Sequence, residues 1–256
     1  MATVADRSAN EPGNRLFLSI AIAMALVIVG GFSLQFFAGR STFGARPLVH
    51  VHGIVFMGWV AIFVAQSWLA TRGPIALHRR LGRIAALWLP LLLILGTWLT
   101  VDVVQRGSAP FFFQPQHFLI ANPLSLLAFL ALVIAALRLR RRSDWHIRLQ
   151  ISAMAALLGP GFGRLLPSPL LMPYAWDIAA LSGLIFPAFG AIADWRRNGR
   201  VHPAWWWGMA STLVVVLLAH AIALSPLGDA IYGWTVAGHP GAAVPGLAFP
   251  PPPPMP

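Results

Sequence analysis

The 256-residue chain has no cysteine, no lysine and only seven acidic residues. Without cysteine there are no disulfides, iron–sulfur clusters, thiolate metal sites or cysteine nucleophiles. Without lysine, all 18 basic residues are arginine, which together with the many Ala, Gly and Pro residues points to a GC-rich gene more than to function. Several catalytic signatures are absent too: the HExxH zinc motif, the GxSxG elbow, the Walker loop, the dinucleotide fingerprint and the clustered histidines of membrane di-iron desaturases. Charge as a whole is scarce. Only 10% of residues are charged against 58% hydrophobic, and the mean hydropathy of +0.73 places the chain in the membrane class.

What is present is a series of apolar runs of about 20 residues, the length of α-helix that crosses about 30 Å of hydrocarbon. The spans are expected near 16–38, 48–70, 83–104, 118–137, 147–166, 174–194 and 204–225. The first is too long for a signal-peptide core and lacks a convincing Ala-x-Ala site. Gly159-Pro160-Gly161-Phe162-Gly163 interrupts the fifth, marking a kink or a re-entrant turn.

Arginine placement sets the orientation. With the N-terminus inside, 14 arginines fall in inner segments and 4 outside (Arg40, Arg46, Arg106 and Arg164), as the positive-inside rule requires. The expected fold is therefore an all-α polytopic bundle of about seven transmembrane helices, N-terminus inside and C-terminus outside, in a bacterial inner membrane. It divides into a leader over 1–15, a membrane domain over 16–225 and a Pro-rich extracytoplasmic tail over 226–256. The net charge of +11 reads as topology signal and lipid contact, and no nucleic-acid partner is expected. The proline run from Pro250 to Pro254 favours an extended conformation. A loose tail is the simpler expectation, and a strand docked on an outer surface or on a membrane partner is the other.

With this topology the eight histidines form two layers. His50, His52, His117, His220 and His239 lie outward, and His78, His146 and His202 inward. Two such layers are what a transmembrane electron path through two haems needs, since neutral imidazoles ligate iron axially. His220 lies well inside the last helix and must find a partner there. His52 heads a stripe through Phe56, Trp59, Phe63 and Gln66 at steps of three and four, suited to a flat cofactor or to ordinary packing. His52, His117 and His220 are the candidate outer site, for haem b, quinone or a nitrogen-ligated metal, and His78 and His146 the inner one. Asp177 is expected to pair with Arg164 across an outer turn. Arg79, Arg80, Arg83, Arg141, Arg142, Trp205, Trp206 and Trp207 are expected to anchor the bundle in lipid headgroups.

The His-rich start of helix 2, the passage Leu77-His78-Arg79-Arg80-Leu81-Gly82-Arg83 and the passage Asp144-Trp145-His146 resemble multi-pass bacterial inner-membrane proteins of largely undefined function. They also look faintly like small haem-bearing membrane cytochromes and ferric-reductase-like proteins. That likeness implies a haem- or quinone-associated redox protein. Two alternatives stand beside it, a structural or assembly subunit of a membrane complex and a proton-coupled transporter.

Overall fold

A computed structural model describes residues 12–40 and 43–252, and all of its regular structure is helical. The helices are α1 (Pro12–Phe37), α2 (Pro47–Thr71), α3 (Ile75–Gln105), α4 (Pro115–Arg138), α5 (Ser143–Ala156), α6 (Gly159–Leu165), α7 (Ala175–Ser182), α8 (Ile185–Asn198), α9 (Pro203–Ala223) and α10 (Pro226–Val236). Single 3-10 turns cover Ser168–Leu171 and Pro240–Ala243. The chain is a polytopic membrane-type bundle. Among the described residues, six stretches are long and apolar enough to cross a bilayer, the α7–α8 pair counting as one of them.

The helix boundaries follow local chemistry. Five helices, α2, α4, α6, α9 and α10, carry proline at N1 or N2, where the missing N–H costs nothing and the fixed φ suits a first turn. His202 caps α9 by accepting the Ala204 N–H, and Ser225 caps α10 by accepting that of Gly228. Gly199 ends α8 in the left-handed conformation, φ 68°, which glycine adopts without a Cβ clash. At 31 residues α3 is the longest element and starts eight residues earlier than the sequence suggests. The basic stretch before Arg83 is good helix-forming sequence, and its charged side chains point to the surface.

Two of the hydrophobic passages are broken. The predicted fifth span divides into α5 and α6, because Pro160 has no N–H to offer the Ala156 carbonyl. A second break, at Gly183-Leu184, separates α7 from α8. The largest buried cluster joins α1, α2, α3, α4, α5, α8 and α9, with Met24, Leu92, Phe129, Met154, Leu158 and Trp205 among its fully buried members. Outside this core the flanks stay apolar: Leu26, Ile54, Leu87 and Leu217 are all more than 60% exposed, as a lipid-facing wall requires.

The segment after α9 is not loose over its described length. Gln116 N–H donates to the Gly246 carbonyl, Gln114 Nε2 to that of Leu247, and Gln105 Nε2 to that of Thr235. Tyr232, buried against Val104 and Leu119, donates its hydroxyl to the Val244 carbonyl at 2.7 Å. The tail thus folds back on the ends of α3, α4 and α9 and binds its own bundle. The end of the proline run, 253–256, lies outside the described residues, as does most of the leader.

Candidate metal centre

His117 is the third residue of α4, Asp177 the third of α7 and His220 the fourth from the end of α9. The first turns of α4 and α7 therefore meet the last turn of α9 at one end of the bundle. Each residue offers a ligating atom, and the three atoms lie within 4.8 Å of one another. Asp177 Oδ1 accepts a hydrogen bond from His220 Nε2 at 2.9 Å. The His117 and His220 rings face each other at 4.5 Å between centroids, tilted by 34°. His117 is 5% exposed and its Nε2 has no partner, a costly state for a polar atom at this depth. The His220 side chain, 40% exposed, opens the cluster on one flank.

Neighbouring groups hold these ligands in position. Trp176 stands edge-on to the His117 ring at 5.1 Å, and its indole N–H donates to Asn122 Oδ1 at 3.1 Å. Gln116 donates to the Ala223 carbonyl and to Asp229, tying the end of α4 to that of α9. Two imidazoles and a carboxylate, with coordination positions left over, suit zinc or a first-row redox metal. Two half-stacked imidazoles leave no slot for a macrocycle, so this pair does not offer the opposed axial ligands a haem needs.

No family model, curated protein or solved structure matches this chain.

The expected outer trio is corrected in one member. His52 does not join His117 and His220; it stacks on Phe56 at 4.1 Å along α2, with its Nδ1 buried and unpartnered. Asp177 takes its place, recruited from the α7 side of α4. The Arg164–Asp177 pair does not form either. Asp177 is committed to His220, while Arg164 donates to the Pro160 carbonyl and lies 4.0 Å over the Phe32 ring. The inner pair keeps a shared geometry. His78 Nδ1 meets the Gln66 carbonyl at 3.2 Å and His146 Nδ1 the Ala136 carbonyl at 2.8 Å, each bridging back to the preceding helix.

Of the expected lipid anchors, Arg79, Arg80, Arg83, Arg141, Arg142, Trp206 and Trp207 are exposed, and Arg142 also sits over the Trp145 ring. Trp205 is not an anchor: it is fully buried and donates to Asp194 Oδ2 at 2.7 Å. Two charge pairs were not foreseen. Arg148 grips both oxygens of Asp194 at 2.7 Å, and Arg46 donates two nitrogens to Asp102. The signal for the first was available, since an arginine inside an apolar helix needs a carboxylate on a neighbour.

Proposed function

We propose that the chain crosses a bacterial cytoplasmic membrane seven times, N-terminus inside, and is a redox protein whose outer centre is one first-row transition-metal ion on His117, Asp177 and His220. The seventh crossing is α5 and α6 taken together, 23 residues from Ser143 to Leu165 despite the break. The observation that carries the functional reading is the convergence of three ligand-type side chains from three helices, one of them with an orphaned nitrogen.

The two imidazoles supply neutral nitrogen donors, and Asp177 supplies the negative charge that offsets a divalent ion in an apolar setting. Asn122 and Trp176 fix the His117 wall, and the exposed flank of His220 gives a small substrate or quinone a way in. His78 and His146 form the inner layer, where a haem b or quinone headgroup would exchange electrons. Their Nδ1 bonds to carbonyls favour the tautomer that leaves Nε2 available as a ligand.

The test is metal analysis with an oxidised-minus-reduced optical spectrum on protein purified in mild detergent from its native membrane. About one metal ion per chain is expected, lost in His117→Ala, Asp177→Asn and His220→Ala. Protein without metal and without a redox-sensitive spectrum would sink the reading. The Asp177–His220 hydrogen bond favours a second reading, a proton-coupled transporter, whose mark is ligand flux lost in Asp177→Asn in metal-free protein.

A further inference from the structure

A cavity of about 220 Å³ lies where the end of α3 meets the folded tail, lined by Asp102, Gln105, Arg106, His239 and Pro240. Backbone geometry builds its walls. Gly107 (φ 65°) and Gly238 (φ 74°) take left-handed conformations that a Cβ would oppose, turning the chain as it leaves α3 and α10. Gly241 then lies directly on the helix end, since a Cβ there would fall 2.1 Å from the Val104 carbonyl oxygen. Gln105 Nε2 donates to the Thr235 carbonyl and the Tyr232 hydroxyl to that of Val244, so the tail side of the cavity is held in place.

The charges around this cavity do not cancel. Two arginines hold the Asp102 carboxylate: Arg46, at the N-cap of α2, donates from two nitrogens, and Arg106 donates from Nε at 3.0 Å. Two guanidiniums against one carboxylate leave one positive charge in excess. Both terminal nitrogens of Arg106 and both ring nitrogens of His239 are without a hydrogen-bond partner among the described residues. The two side chains line the same space, one from the end of α3 and one from the tail. A planar guanidinium fork takes two oxygens of an oxyanion, and an imidazole N–H takes a third. A carboxylate has only two oxygens to give, so a tetrahedral phosphate group suits the pair better. Drug-sized ligands occupy pockets of about 300 Å³ or more, which leaves phosphate itself or the phosphate group of a small ester.

We propose that this cavity binds a phosphate-type oxyanion, and that the bound anion latches the tail to α3. The anion joins Arg106 to His239 and so adds a charge-assisted bridge to the hydrogen bonds that already hold the tail. The phosphate group is carried either by a free anion or by a lipid headgroup, which lies at the depth where α3 leaves the hydrocarbon. The site shares no residue with the His117–Asp177–His220 cluster, so the two proposals fail separately.

Tail docking is the readout. Delipidated protein in a maltoside detergent, which carries no phosphate, is digested with proteinase K, and cleavage between Ala237 and Ala248 is timed in about 10 mM inorganic phosphate and in chloride of equal ionic strength. With a dissociation constant of about 1 mM, cleavage is expected to slow about tenfold, because the anion binds only the docked tail. Arg106→Gln and His239→Gln, both at exposed positions, are each expected to lose that slowing, and Arg46 still holds Asp102 in the first. Arg40→Gln, at the same end of the bundle, is expected to keep it. The same digestion in phosphatidylglycerol nanodiscs separates the two sources. Slow cleavage before phosphate is added, returned to the detergent rate by Arg106→Gln, makes the lipid headgroup the ligand; slow cleavage only after phosphate is added makes it the free anion. No slowing in either medium, or equal slowing in the unsubstituted protein, Arg106→Gln and His239→Gln, would overturn the proposal.

Discussion

Gly190 on α8 and Trp205 on α9 share one volume, since a Cβ on the glycine would fall on the Trp205 six-membered ring. Gly190→Ala is expected to lower stability by about 1–3 kcal/mol through overpacking, read as a drop in thermal midpoint in detergent. The same indole donates to Asp194, whose other partner is the Arg148 guanidinium. Asp194→Asn should cost more, about 3–5 kcal/mol, because it strands a buried arginine; Asp194→Asn with Arg148→Met should recover much of the loss. At this scale the sequence spoke unevenly. That His220 needed a partner was legible from its depth, but which partner was not. Asp177 and Arg164 are close in sequence and opposite in charge, yet α7 turns the carboxylate towards α9 and not back towards α6. Trp205, Trp206 and Trp207 look identical as a run. The 100° step between helical neighbours buries the first and exposes the other two.

Among the elements, six of the seven expected spans coincide with stretches long and apolar enough to cross a bilayer, because hydrophobic length alone specifies them, and the Gly-Pro-Gly interruption announced the break after α5. The break at Gly183-Leu184 had a signal that the sequence reading did not use: Pro187 leaves the Gly183 carbonyl without its i+4 donor, as Pro160 does that of Ala156, while the close approach of the Ala155 carbonyl is purely tertiary. The docked tail was only the second expectation, behind a loose one, because glycine and proline suggest looseness until Tyr232 and Gln116 supply anchors. Burial raises the Tyr232 phenol above its ordinary value of 10.0. The docked state therefore holds the proton more tightly than the undocked one, so docking is fully stabilised below about pH 10 and weakens as pH rises through the raised value. Proteolysis between Ala237 and Ala248 should accelerate above that pH. Tyr232→Phe should lack the alkaline step and cost about 1 kcal/mol at neutral pH through the lost bond to Val244.

For the whole molecule, the two ends of the bundle differ in kind. One end carries the exposed arginines of the α2–α3, α4–α5 and α8–α9 turns, and the other the His117–Asp177–His220 cluster and the folded tail. The proposed orientation predicts that alkaline phosphatase fused after residue 256 is active and that green fluorescent protein at the same position is dark. The reverse pattern would invert the topology. Helix α3 has a consequence of its own. Its 31 residues measure about 46 Å, half as long again as a typical hydrocarbon core of about 30 Å. It meets a thin bilayer by leaning or by extending its arginine-bearing end into the headgroups, and a thicker one by standing up. Hydrophobic mismatch then acts on α3 before the shorter helices, so the thickness of the surrounding lipid sets the angle between α3 and its partners α2 and α4.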